Sequence, residues 1–158
     1  ITPIVSFNHG MRSKERVRDG IKYGLIYTLI IMVVGTVVLE IFANPFAKIF
    51  GLSGVTQQLC VSAIRVISIS FVFAGANIAF QGIFQALEGG MESLFISICR
   101  QFLFVLPVAW GFSLIAIKDI SYIWLVWMTF PIAEAVSCVI ACVFMKRIDR
   151  RKIQSLNK

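Results

Sequence analysis

Residues 23–43 read YGLIYTLIIMVVGTVVLEIFA, an unbroken apolar run with a single carboxylate, Glu40, near its end. A helix needs roughly 20 apolar residues to cross about 30 Å of hydrocarbon, and this run reaches that length. Three further stretches do the same, at about residues 60–87, 94–117 and 122–145. Each is expected to be helical, because in lipid a lone segment satisfies its backbone groups only as a helix. Short alternating segments of the kind a membrane β-barrel needs are absent from the sequence. Composition agrees: 58% of the residues are hydrophobic, 15% are charged and mean hydropathy is +0.86. A soluble domain of 158 residues could not hide so much apolar surface. The expected fold class is an all-α integral membrane protein with four transmembrane helices. A helix stub, ITPIVSF at residues 1–7, precedes them. That stub and the start at Ile1 suggest a fragment of something larger, and no run has the shape of a signal peptide.

Basic residues set the expected orientation. Arg12, Lys14, Arg16, Arg18 and Lys22 precede the first helix, and a basic tail, residues 146–158, follows the fourth. The loops between helices carry only Lys48 and Lys118, and EGGMES at residues 88–93 carries no Lys or Arg. Both ends are therefore expected in the cytoplasm, in a multi-pass protein of the cell (plasma) membrane. Tyr122, Trp124 and Trp127 fall where the fourth helix enters from the outer interface. The net charge of +7 is explained by topology and the lipid bilayer, not by nucleic acid. Between the first two helices, NPFAKIFGLSG (residues 44–54) has two readings. It is either a short interfacial helix after Pro45 or an apolar turn over the bundle top.

Enzyme signatures are missing. The sequence has no phosphate-binding loop and no metal-ligand spacing, and its one histidine, His9, sits in a basic segment. Cys60, Cys99, Cys138 and Cys142 form no disulfide framework. No enzyme activity, metal or cofactor is expected.

The informative residues are polar ones inside the spans. Ser70, Ala74, Asn77, Gln81, Gln85 and Glu88 recur every three or four residues, which makes a stripe on one helical face. The stripe is either hydrogen-bonding glue between helices or the wall of a wet cavity; its length favours the cavity. Ile78 and Ile83 are expected to face lipid. In the third span Arg100 and Gln101 stand side by side, followed by Pro107 and Gly111, which allow a kink. Arg100 either snorkels to the interface or organises a moving lobe, held by backbone carbonyls, by Gln85 or Glu88, or by water. In the fourth span Glu134 lies near mid-membrane, one turn after Pro131, and must be paired, wet or protonated. A direct Arg100–Glu134 pair is disfavoured, because side chains of antiparallel helices lean toward opposite membrane faces. Glu40 and Arg65 are better matched in depth. Ala133, Ser137 and Ala141 form a small-residue ridge suited to close packing.

Several segments together resemble the multidrug and toxic compound extrusion (MATE) transporters. TPIVSFNHGMRSKERV (residues 2–17) resembles the close of that family's eighth helix, with Pro3, Ser6, Asn8 and Gly10 as marks. FQGIFQALEGG (residues 80–90) resembles the end of the tenth helix, RQFLFVLP (100–107) the eleventh and PIAEA (131–135) the twelfth. The resemblance implies the last third of a twelve-helix, two-lobe bundle whose N-terminal helices would complete it. It implies export of small, amphipathic organic cations by alternating access, coupled to Na+ or H+. The NorM-like branch has a cation-binding aspartate where this chain has Asn77, which brings no charge. The sequence therefore looks closer to the DinF- and MepA-like bacterial branch, with the coupling-cation site outside this segment. A lipid-linked oligosaccharide flippase of the same superfamily would be expected to carry more basic groups in its cavity. A non-transporting four-helix scaffold is the remaining alternative.

Overall fold

The computed structural model describes residues 1–157 and builds them from helices. The stub is helix α1 (Thr2–Gly10), followed by α2 (Lys14–Ile49) and α3 (Gly54–Ala86). The third span is composite: α4 (Gly90–Ile98), a π-helical segment (Cys99–Val105) and α5 (Leu106–Ala116). The last span is α6 (Ile123–Ile148), continued by a π turn (Asp149–Ile153). Four helical stretches among the described residues are long and apolar enough to cross a membrane. Tight connections make successive spans antiparallel. One end of the bundle, the basic end, therefore gathers α1, the start of α2, the α3–α4 turn and the α6 tail.

Helix α2 has 36 residues, about 54 Å at 1.5 Å per residue, and outruns the hydrocarbon. Neither sequence reading of the segment after Pro45 holds. Pro45 lies inside α2, which runs on to Ile49 before a turn at Gly51 with φ +70. Proline costs this helix one hydrogen bond near its end. Ala43 and Ala47, both fully buried, supply packing on either side of it.

Helix α3 is the central element, packed against α2 on one side and α6 on the other. The expected ridge Ala133–Ser137–Ala141 is fully buried in α6. Small side chains let backbones approach closely in lipid, where the hydrophobic effect does not drive helices together. On the α2 side Gly75 makes the same kind of room, since a Cβ there would collide with Met32. Ile78 faces outward as expected, but Ile83 is fully buried beside Phe84. Five residues rotate a helix by about 140° beyond one full turn, so the two positions cannot share a face.

At the basic end Val5, Val17, Ile21, Leu87 and Ile148 close a compact apolar core. The tail joins it. Ile153 is fully buried, Arg18 Nη2 lies 3.4 Å from Asp149 Oδ2, and Lys152 Nζ lies 3.7 Å from Glu88 Oε2.

Candidate functional site

The third span changes register where the sequence places its polar pair. Pro107 is the second residue of α5 and has no N–H to give to the carbonyl of Leu103, four residues earlier. The chain widens to a π-helix over Cys99–Val105, immediately before the proline. Such a register relieves the crowding, and π turns recur at functional sites. Arg100 is the second residue of this segment.

Arg100 Nε lies 3.4 Å from Glu134 Oε1, and the two side chains are 20% and 13% exposed. Asn77 Nδ2 donates to Glu134 Oε2 at 2.8 Å and to the Glu134 backbone carbonyl at 2.9 Å. The direct pair disfavoured by side-chain lean is therefore formed. Arg100 is about 15 Å from the start of α4 and Glu134 about 21 Å from the end of α6, a gap that an arginine side chain can bridge. A poor rotamer costs about 0.5–1.5 kcal/mol, whereas an uncompensated buried charge costs about 3–5 kcal/mol. The cost of the stranded charge decides the geometry.

The cluster is charged, enclosed and incompletely satisfied. Asn77 Oδ1 and Arg100 Nη1 are buried without a hydrogen-bond partner, and Arg100 Nε is held by the ion pair alone; Gln81 Nε2 on α3 and Thr129 Oγ1 and Ser137 Oγ on α6 are also buried without one. Each buried unsatisfied group costs about 1–3 kcal/mol. An arrangement of one carboxylate, one guanidinium and an amide with a free carbonyl oxygen can therefore exchange partners with a water, a proton or a cation. Among the described residues no group of His, Cys, Asp and Glu is placed to hold a metal ion.

The polar stripe of α3 divides. Asn77 is fully buried against α6. Gln81 and Gln85 instead line a groove of about 460 Å³ with Thr2, Thr28 and Gly82. Gln85 Nε2 donates to Ser93 Oγ at 3.0 Å, and Glu88 is engaged by Lys152. Neither reaches Arg100 as the sequence reading expected, because each has a nearer partner at the basic end. Gln101 and Pro107 face outward, away from the cluster, and a Cβ at Gly111 would meet no atom within 4 Å. Pro131 is buried in α6, one turn before Glu134. In α1, Pro3 occupies the first turn and Asn8 Nδ2 donates to the Ile4 carbonyl at 2.8 Å. The left-handed residue that ends α1 is Arg12 (φ 55), two places beyond Gly10.

A second ion pair joins α2 and α3 at the other end of the bundle. Arg65 Nε lies 3.9 Å from Glu40 Oε2, and Ser68 Oγ donates to Glu40 Oε1 at 2.7 Å. Sequence reasoning found this pair but missed Ser68, and it missed the buried Thr129 of α6. Thr129 was findable: it extends the ridge of Ala133 and Ser137 by one step of four.

Apolar spans packed around a buried ion pair define a polytopic membrane protein. The MatE family matches residues 1–110, most of the chain, and the chain belongs to that family. A solved structure, described as the inward-facing conformation of a multidrug resistance MATE family transporter of the MOP superfamily, superimposes with a TM-score of 0.83 at 20% identity. The superposition covers 99% of this chain and 34% of the other, so this chain spans about a third of that transporter. At that identity the likeness is one of fold. A comparison with curated proteins gave no match.

Proposed function

We propose that this chain supplies the C-terminal helices of a cation-coupled antiporter that exports small, amphipathic organic cations by alternating access, driven by Na+ or H+. The observation that supports this most is the Asn77–Glu134–Arg100 cluster, an under-satisfied ionic group beside a π-widened helix. Charge in the interior of a bundle is costly and marks ion or substrate pathways. Asn77, Gln81, Gln85 and Glu134 form the cavity side of the lobe in this reading. Arg100, Gln101, Pro107, Gly111 and Pro131 control how its helices move. The neutral amide at Asn77 favours the DinF- and MepA-like branch, with the primary coupling site on helices outside this segment. The membrane is the plasma membrane, with the basic end in the cytoplasm.

The test is ethidium efflux from vesicles containing the full-length protein, under a Na+ or an H+ gradient imposed separately. Efflux should follow one gradient and cease when that gradient is collapsed; failure under both gradients overturns the antiporter reading. Orientation is checked with single cysteines in a cysteine-free background. Those at Asn8 and Ser155 should resist an impermeant thiol reagent in intact cells, and one at Ser53 should react. The opposite pattern reverses the assignment.

A further inference from the structure

The cations among the described residues of the α6 tail sort into two sets. Lys152 turns toward the bundle and pairs with Glu88, while Asp149 takes Arg18 from α2 and accepts from Gln154 Nε2 at 3.0 Å. Together with buried Ile148 and Ile153, these contacts fix the tail against the bundle. Lys146, Arg147, Arg150 and Arg151 turn outward. None of these four has an ion-pair partner among the described residues. With Val143 they line a single cleft of about 560 Å³. Val139 and Val143, 66% and 60% exposed, continue the same helical face toward the middle of the span.

We propose that this cleft binds the phosphate headgroup of an anionic phospholipid, with an acyl chain lying along Val143 and Val139. Four unpaired like charges within about two helical turns repel one another, and an anion removes that repulsion. Three of the four flanking groups, Arg147, Arg150 and Arg151, are guanidinium forks, which match phosphate oxygens bidentately where the Lys146 ammonium acts as a point charge. The site lies at the boundary between apolar and basic residues of α6, where lipid phosphates are concentrated. The valine strip leading away from the cleft favours a lipid over a free phosphate. Lys152 and Arg18 of α2, by contrast, are paired on the bundle side of the tail.

The full-length protein in detergent is titrated with dioleoyl phosphatidylglycerol, with dioleoyl phosphatidylcholine and with inorganic phosphate, and lipid adducts are counted by native mass spectrometry. Phosphatidylglycerol should be retained at least about tenfold more tightly than phosphatidylcholine, and less tightly as salt rises. The combined substitutions K146Q, R147Q, R150Q and R151Q should weaken its retention by about tenfold or more. R150Q with R151Q alone should give an intermediate loss, and R12Q with R16Q, at the same end of the bundle, should give none. All six positions are at the surface or partly so, and an unchanged elution volume confirms folding. Equal retention of the two lipids, an unaffected fourfold variant, or an equal loss in R12Q with R16Q each overturns the site. Displacement of the lipid by an equal concentration of inorganic phosphate overturns its assignment to lipid.

Discussion

The molecule carries two arginine–glutamate pairs between neighbouring spans, and they are not equivalent. Arg65 and Glu40 sit at 3.9 Å with side chains 57% and 37% exposed, and Glu40 has a serine hydroxyl as its second partner. Arg100 and Glu134 sit at 3.4 Å, 20% and 13% exposed, among polar atoms without partners. The first pair joins α2 and α3 and is the more exposed of the two on this chain. The second holds charge in the interior, where neither partner can be removed without leaving the other stranded. Identical residue types thus do different work because their surroundings differ.

The largest expected effect breaks the inner pair from one side. Glu134→Ala leaves the Arg100 guanidinium buried without a counter-charge and should destabilise the detergent-solubilised protein by about 3–5 kcal/mol. Combining Glu134→Leu with Arg100→Met should recover most of that stability while leaving ethidium export abolished. Recovery of export in the double variant would reduce the cluster to packing. Next in size, Arg100→Ala should lower export far more than Arg100→Lys, with both proteins inserted in the membrane. Lysine keeps the charge and loses the planar fork. Export by the alanine variant at the wild-type level would make Arg100 an anchor only.

The outer pair should respond weakly. Arg65→Gln should cost no more than about 1 kcal/mol, the range of exposed ion pairs, and should leave export intact. A loss comparable with that of Glu134→Ala would erase the contrast between the two sites. The smallest effect belongs to a carboxylate outside the spans. Asp119 Oδ1 accepts from the Ser121 backbone N–H at 2.9 Å and caps the short helical turn before α6. That backbone bond, and then the Ser121 side chain, hold its carboxyl below the usual carboxylate range. A depressed pKa contributes stability above the ordinary value and loses it as pH falls through the folded one. The gap in melting temperature between wild type and Asp119→Ala should therefore be small at neutral pH and vanish in strong acid. A gap that persists in strong acid would show that the carboxylate's charge is not what caps the turn.

Much of this architecture is written locally. The four spans follow from apolar length alone, since hydrocarbon thickness sets how many residues a helix needs. The ridge of Ala133, Ser137 and Ala141 follows from spacing on one helix, and the basic residues cluster at one end of the bundle. The tenth-helix-like FQGIFQALEGG and its companions carried the family. Other features were not legible. Pro45 reads as a breaker, yet α2 runs through it to Ile49, with Ala43 and Ala47 buried on either side. The sequence marks residues 146–158 only as a basic tail, yet Ile153 within it is fully buried.

Sequence by itself determined that this chain is a bundle of membrane-crossing helices and that Glu134 must be paired, wet or protonated. Only the tertiary structure decided that the partner is Arg100, with Asn77 on the other carboxylate oxygen. Helical periodicity fixes which residues share a face of one helix, but not how deep that face lies beside the next helix. That depth, in the π segment just before Pro107, places the guanidinium 3.4 Å from the Glu134 carboxylate, where an unpaired buried charge would be costly.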